Sequence, residues 1–155
     1  MPQLNKGGKF VFGWSKITDD FEITIPSQAI QEYDIVSEGR VILISGSKTT
    51  GGIIVSRLSL IKNSIFSNIF LRYPNFKNYS TKELELLPYK GRLYTWAYIT
   101  PEGKLKLNNT IMEKLNLKIG SQLMSIRSSN IAFTMGAYGP LIKKGNEFPE
   151  EILKY

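Results

Sequence analysis

Two stretches of equal length decide the fold: KITDDFEITIPSQAIQEYDIVSEGRVILI at 16–44 and YITPEGKLKLNNTIMEKLNLKIGSQLMSI at 98–126. They align without a gap at an offset of 82 residues, which also places Trp14 over Trp96. The apolar positions of one stretch largely fall on apolar positions of the other, as equivalent positions of a core require. Examples are Ile17 over Ile99, Ile25 over Leu107, Ile35 over Leu117 and Ile44 over Ile126. The pattern predicts two diverged copies of one supersecondary unit.

Each copy has the local pattern of a β-hairpin, a short helix and two further strands. Polar and apolar residues alternate over 16–18 and 22–25 around Asp19-Asp20, which predicts the first hairpin. Pro26 ends it, a helix is expected from Gln28 to about Tyr33, and strands are expected at 41–44 and 53–55. The second copy predicts a turn at 101–103, a helix over 110–115 and strands at 123–126 and 131–135. Asn108 or Asn109 is expected to cap that second helix.

The connector between the copies has a different composition. Ile61, Ile65 and Ile69 recur at helical spacing, so 59–71 is predicted as an amphipathic helix with these three side chains buried. A capping-box spacing at 80–83 predicts another short helix. We therefore divide the chain into a first copy at 9–57, a helical connector at 58–92, a second copy at 93–144 and a tail at 145–155. The tail holds one expected helical turn at 149–153.

The spacing of turns resembles the AbrB/MazE/SpoVT swapped-hairpin family. In the second copy the resemblance rests on Glu102-Gly103-Lys104-Leu105-Lys106-Leu107 and on the segment 114–123, Lys-Leu-Asn-Leu-Lys-Ile-Gly-Ser-Gln-Leu. In the first copy it rests on Ile25-Pro26 and Tyr33-Asp34-Ile35, whereas Gly39 lies one place late and Phe21-Glu22 replaces the Gly-Arg of the hairpin. The resemblance covers 16–57 and 98–136, a little over half of the chain.

This resemblance implies an α+β fold in which two swapped-hairpin ββαββ repeats form an intramolecular, pseudo-dimeric β-barrel with a helical connector. It also implies a DNA-binding transcriptional regulator that is not an enzyme. Double-stranded DNA is the expected partner, and a homodimer of such pseudo-dimers is left open.

Composition agrees with a binding protein. The chain has no Cys and no His, which removes disulfides, thiol nucleophiles, the Ser-His-Asp triad and the commonest metal ligands. No cofactor, metal or catalytic residue is therefore expected. The absence of a long apolar segment or a secretory signal predicts a cytoplasmic protein without a membrane partner. The formal net charge of +7 favours a polyanionic partner.

The positive charge is unevenly distributed along the chain. Residues 9–57 hold five basic and six acidic side chains, whereas 93–144 hold seven basic and two acidic ones. We therefore expect DNA contact mainly in the second copy, through Lys104 and Lys106 on one face of a strand. Arg127 and Lys48 are expected to join them as phosphate contacts.

Three alternatives remain open from the sequence. The protein could be a ligand-binding or protein-interaction barrel that keeps the fold without DNA binding. The small-residue loop 45–52 could bind an anion through its backbone amides and Lys48, or simply be a solvated turn. The alternating aromatics Phe10, Phe12 and Trp14, and their counterparts in 94–98, could form a stacking platform for single-stranded nucleic acid, although core packing is favoured.

Overall fold

The structure is a computed structural model that describes residues 2–3, 10–148 and 152–155. Over these residues the chain forms nine β-strands and five short α-helices. The strands are β1 (Val11–Lys16), β2 (Glu22–Thr24), β3 (Arg40–Ser45), β4 (Ile53–Ser56), β5 (Leu87–Tyr89), β6 (Arg92–Tyr98), β7 (Lys104–Lys106), β8 (Gln122–Arg127) and β9 (Phe133–Gly136). The α-helices are α1 (Ser27–Tyr33), α2 (Leu58–Ile61), α3 (Ile69–Arg72), α4 (Asn109–Lys114) and α5 (Pro140–Glu147).

The strands confirm the α+β class. Seven of them form one antiparallel sheet in the order β1-β8-β9-β4-β3-β6-β5, while β2 and β7 form a separate two-stranded ribbon. The bounds of helices α1 and α4 agree with the ranges predicted from the sequence within a residue or two. The Asn108 side chain caps α4 by accepting a hydrogen bond from the Ile111 N–H at 2.9 Å.

The predicted closed barrel is wrong, because the large sheet is open. Its two edge strands, β1 and β5, do not pair with each other. Residues 153–155 lie along the outer edge of β1. Trp14 N–H donates to Leu153 O at 2.8 Å, and Tyr155 N–H donates to Trp14 O at 2.7 Å. At the other end β5 adds beyond β6. Residues 153–155 and β5 therefore pair with the two strand edges that would have paired with each other in a closed barrel.

The predicted local hairpin at 16–25 is present only at its turn, and a longer-range pairing replaces the rest of it. A tight turn forms at 18–21, in which Phe21 N–H donates to Thr18 O at 2.9 Å. Thr18 N–H also donates to Glu22 O at 3.0 Å, but beyond this turn β2 pairs with β7, so that Ile23 lies opposite Leu105. The apolar face of a three-residue strand is too small to be stable alone, and pairing with β7 places both side chains in the core.

The offset of 82 residues relates hydrogen-bonded partners as well as single residues. Trp14 lies opposite Met124 in β1–β8, and the residues 82 positions away from each, Trp96 and Ile42, lie opposite one another in β3–β6. In the ribbon, the central partners Ile23 and Leu105 are themselves 82 residues apart.

Other elements pack on both faces of the large sheet. The ribbon, α1 and α4 pack on one face and enclose the largest buried cluster, which contains side chains from both 9–57 and 93–144. On the other face the connector packs over β3 and β6, and α5 packs over β1 and β8. A register shift between Val11 and Gly13 turns Phe12 and Trp14 to opposite faces, so they do not form one aromatic platform.

The predicted connector helix is broken into short pieces. Helix α2 ends at Ile61, a 3-10 helix follows at Ile65–Asn68, and α3 starts at Ile69. The Ser64 hydroxyl donates to Ile61 O at 2.9 Å and accepts from Phe66 N–H, a local side-chain pairing that competes with a continuous helix. As a result Ile61 and Ile69 are buried at 0% exposure, but Ile65 is 82% exposed.

The short helix that the capping box at 80–83 was predicted to open, and Pro88 to end, is absent as well. Its acidic residues bond elsewhere: Glu83 accepts from Tyr98 N–H at 2.8 Å and Glu85 accepts from Lys82 N–H at 3.2 Å. The chain then enters β5, which the sequence did not predict. A turn at Lys90-Gly91 joins β5 to β6 as a hairpin.

Helix α5, also unpredicted, begins with Pro140 at its first position and crosses the proposed boundary at 144. The helical turn expected at 149–153 and the boundary at residue 9 fall wholly or partly outside the described residues. Within the part of the chain that is described, no helix has the length and apolar character needed to cross a membrane.

Candidate nucleic-acid interface

The ribbon of β2 and β7 presents one apolar and one polar face. Ile23 and Leu105 point inward and are buried, whereas Lys104 and Lys106 are exposed on the opposite side. Bonds at each end extend the pairing, because Ile25 N–H donates to Gly103 O and Leu107 N–H donates to Phe21 O. Alternation along a strand thus brings the two predicted lysines to one surface, as expected from the sequence.

Acidic groups lie beside these lysines. Glu22 is opposite Lys106 in the register, and its Oε1 lies 3.9 Å from Lys104 Nζ. An open groove of about 340 Å³ runs along the ribbon and is lined by both lysines, Glu22, Glu83 and Tyr98. The lining of this groove is therefore of mixed charge, because its two lysines are matched by two glutamates.

Tyr98 is the ribbon-groove residue that sequence reasoning missed. It was grouped with the core aromatics Tyr94 and Trp96, yet it is 53% exposed. Its position at the end of β6, beside the 101–103 turn, was the available signal. The Arg40 guanidinium lies 5.2 Å from the Tyr98 ring and 5.1 Å from that of Trp96, which holds the exposed ring in place.

Arg127 is not part of this surface. Its guanidinium forms a two-pronged ion pair with the Glu32 carboxylate, with Nε 2.7 Å from Oε2, and it lies 4.9 Å from the centre of the Phe10 ring. Burial next to Glu32 raises the pKa of the neighbouring Tyr33 to about 12, and the Tyr33 hydroxyl donates to Ser129 O. A phosphate would have to displace Glu32, so Arg127 is poorly placed for the predicted role.

Lys48 lies in a different groove, of about 250 Å³, beside the loop 46–52. Lys114 from the end of α4 lines the same groove and was not singled out from the sequence. The loop closes on itself, because Gly51 N–H donates to Ser47 O at 2.7 Å and Gly46 N–H donates to Gly52 O at 3.0 Å. These two amides are satisfied internally, which does not support the alternative in which the loop binds an anion through its backbone.

The four predicted contact residues thus occupy three places: Lys104 and Lys106 on the ribbon, Arg127 against α1, and Lys48 beside its loop. The ribbon is the place where two of them lie together and open to solvent.

A polar network centred on Glu38 lies next to Arg40 and joins the start of β3 to the connector. The Glu38 carboxylate accepts from Tyr79 Oη at 2.6 Å, from Arg57 Nη1 at 3.0 Å and from Leu58 N–H at 3.1 Å. Burial by itself would raise the pKa of Glu38, but the hydrogen bonds from Tyr79, Arg57 and Ser59 together hold it below its ordinary value of 4.5.

This network predicts a pH-dependent stability difference. Since the pKa of Glu38 is lower in the folded than in the unfolded chain, its stabilisation is complete above about pH 4.5 and is lost as the pH falls through the folded-state pKa. We expect Glu38→Gln to lower Tm at pH 7 and the gap from the parent to narrow towards pH 3. Thermal unfolding of both proteins across this range checks the prediction, and a gap that widened on acidification would contradict it.

Comparison with known proteins adds no identification. No protein-family model matches the chain, and no curated protein matches it significantly.

Proposed function

We propose that this protein is a non-enzymatic, DNA-binding transcriptional regulator built from two swapped-hairpin repeats of the AbrB/MazE/SpoVT kind. The observation that carries the proposal is the two-stranded antiparallel ribbon, which projects Lys104 and Lys106 outward from a buried apolar face. The major groove of B-DNA is wide enough to admit a two-stranded β-ribbon. Lysines on its outer face can then neutralise phosphates on the groove walls.

The register of the strands supports the duplication. A two-fold related pair of repeats requires equivalent strands to pair in equivalent registers, and β1–β8 and β3–β6 do so at the offset of 82. The ribbon centre, Ile23 opposite Leu105, lies where the axis between the repeats would pass. A dimeric DNA reader places its two-fold axis on that of the duplex in the same way.

The repeats differ at the ribbon, which bears on the DNA they would read. Glu22 and Thr24 of the first copy stand where the second copy has Lys104 and Lys106. The attraction to phosphate therefore comes from one half of the ribbon, and we expect a non-palindromic site.

A double variant tests the proposal. Lys104→Ala with Lys106→Ala should weaken binding to duplex DNA of any sequence and reduce the salt slope, d log K/d log[salt], by about two, because two phosphate contacts are lost. Both side chains are exposed, so folding should be unaffected. The measurement is a salt titration of binding to random duplex by fluorescence anisotropy.

The matched control is Lys62→Ala with Lys77→Ala, which removes the same charge from exposed positions of the connector. An equal loss of affinity in both double variants would indicate a general charge effect and contradict contact through the ribbon. Undetectable DNA binding by the parent protein at low salt would contradict the function itself.

The second candidate is a protein-interaction module that has kept the fold without DNA binding. Glu22 and Glu83 in the ribbon groove favour it, because carboxylates repel phosphate, and so does the exposed Tyr98, a residue type enriched in protein interfaces. Binding of a partner protein that is lost in Tyr98→Ala, with no DNA binding in the parent, would select this candidate.

A further inference from the structure

An open groove of about 280 Å³ lies at the middle of the large sheet, on the face away from the ribbon. Its floor includes Ile54 of β4 and Thr134 of β9, which lie opposite one another in the register. On this face the connector covers one side of the sheet and α5 covers the other, so the two central strands remain accessible between them. We call this the junction groove, because its lining comes from 9–57, from 93–144 and, at Arg92, from the end of the connector.

The floor and rim of the junction groove are largely apolar. Ile54, Ile126 and Leu141 line it, and each also packs against a buried cluster that fixes its position. An aliphatic group placed here would remove further apolar surface from water, which is favourable by about 25 cal/mol per Å². The volume is close to the lower end of the range for small-molecule sites.

Arg92 supplies the only formal charge among the described residues that line the junction groove. Its Nη1 donates to Ser45 O at 2.8 Å, which orients the guanidinium and leaves its other N–H groups for a ligand. Among the described carboxylates, none lies within ion-pair distance of this side chain. An oriented guanidinium without a counter-ion is well suited to a planar carboxylate.

Hydroxyl groups complete the lining. Ser128 and Thr134 share a hydrogen bond of 2.6 Å between their side-chain oxygens, and Ser47 and Thr50 lie 3.2 Å apart on the loop side. Each hydroxyl has further donor or acceptor capacity, so a second ligand oxygen could be bound. An apolar floor with one cation and a few hydroxyls is typical of a site for a small amphipathic anion.

We propose that the junction groove binds a small organic acid, with its carboxylate on Arg92 and a short aliphatic body over Ile54, Ile126 and Leu141. This site lies on the opposite face of the sheet from the ribbon and does not depend on DNA binding. Phosphate or acetate alone would make the charge contact without the apolar one.

The test uses hexanoate as the probe and the whole 155-residue chain. Titration followed by ¹H–¹⁵N NMR should shift the amide signals of Ile54, Ser128 and Thr134. We expect Arg92→Gln to weaken hexanoate binding at least about tenfold, because the charge-assisted contact is lost. The matched control, Lys90→Gln, removes one charge two residues away without altering the groove lining and should bind like the parent.

Neutral and short probes separate the two halves of the proposal. Hexanamide should bind the parent as weakly as hexanoate binds Arg92→Gln, and acetate should bind more weakly than hexanoate. If Arg92→Gln does not fold, Leu141→Ser serves instead and should weaken hexanoate binding but leave acetate binding unchanged. Absence of hexanoate binding, equal binding by acetate or inorganic phosphate, or unchanged binding in Arg92→Gln would overturn the proposal.

Discussion

Replacing Ile69 by Asp is expected to destabilise the protein by more than about 4 kcal/mol, because truncating a buried Ile costs about 2–5 kcal/mol and the carboxylate adds a desolvation cost. Ile69 is completely buried at the start of α3, in the cluster that joins the connector to β3 and β6. Thermal unfolding should show a fall in Tm of roughly 10 °C or more.

Ile65→Asp is the matched control for this prediction. The two isoleucines are four residues apart and would share a face of a continuous helix, but Ile65 is 82% exposed. Its substitution should change stability by less than about 0.5 kcal/mol. Equal and large effects at the two positions would contradict the break that Ser64 introduces and restore the continuous amphipathic helix.

Gly52→Ala is the second substitution with a large expected effect, at about 4 kcal/mol. Gly52 has φ of +67°, which is unfavourable for a residue with a Cβ, and the added methyl group would overlap the carbonyl oxygen of Met135. That oxygen belongs to β9, which is hydrogen-bonded to β4, so neither backbone can move away independently. Chemical denaturation should show a lower midpoint with an unchanged slope.

Gly91→Ala separates the conformational part of this effect from the steric part. Gly91 has a similar φ, +80°, but an added Cβ would meet no atom within 4 Å. A loss of only about 1–2 kcal/mol is expected there, the cost of the left-handed conformation alone. If both alanine variants lost the same stability, close approach of β4 and β9 at Gly52 would not be the cause.

The connector illustrates where prediction from sequence stopped. The apolar spacing at 61, 65 and 69 predicted one helix with three buried side chains. Two of them, Ile61 and Ile69, do lie in one buried cluster, but the helix is not continuous. The break came from Ser64, whose hydroxyl bonds to the backbone on both sides. A periodicity of apolar residues reports which side chains prefer burial, but it does not report a competing hydrogen bond made by one polar side chain.

In the candidate site, too, local sequence pattern placed some residues correctly, whereas the positions of others depend on tertiary contacts. Alternation along 104–106 sufficed to place Lys104 and Lys106 on one exposed face. The pairing of Arg127 with Glu32, and the grouping of Lys48 with Lys114, bring together residues that are distant in the sequence. Such contacts depend on how α1 and α4 pack, which a local pattern does not contain.

By itself, the sequence determined the α+β class, the helices α1 and α4 and the buried strand 41–44, because these depend on local periodicity, caps and turns. The tertiary structure alone decided that β2 pairs with β7, that the sheet stays open, and that a groove with Arg92 lies between the two helical layers. The physical reason is that strand partners and edges are chosen by long-range competition for backbone hydrogen bonds and apolar surface. Residues 153–155 pair with the free edge of β1, and β5 pairs with the free edge of β6. Each segment thereby satisfies backbone N–H and C=O groups that closure of a barrel would otherwise have paired.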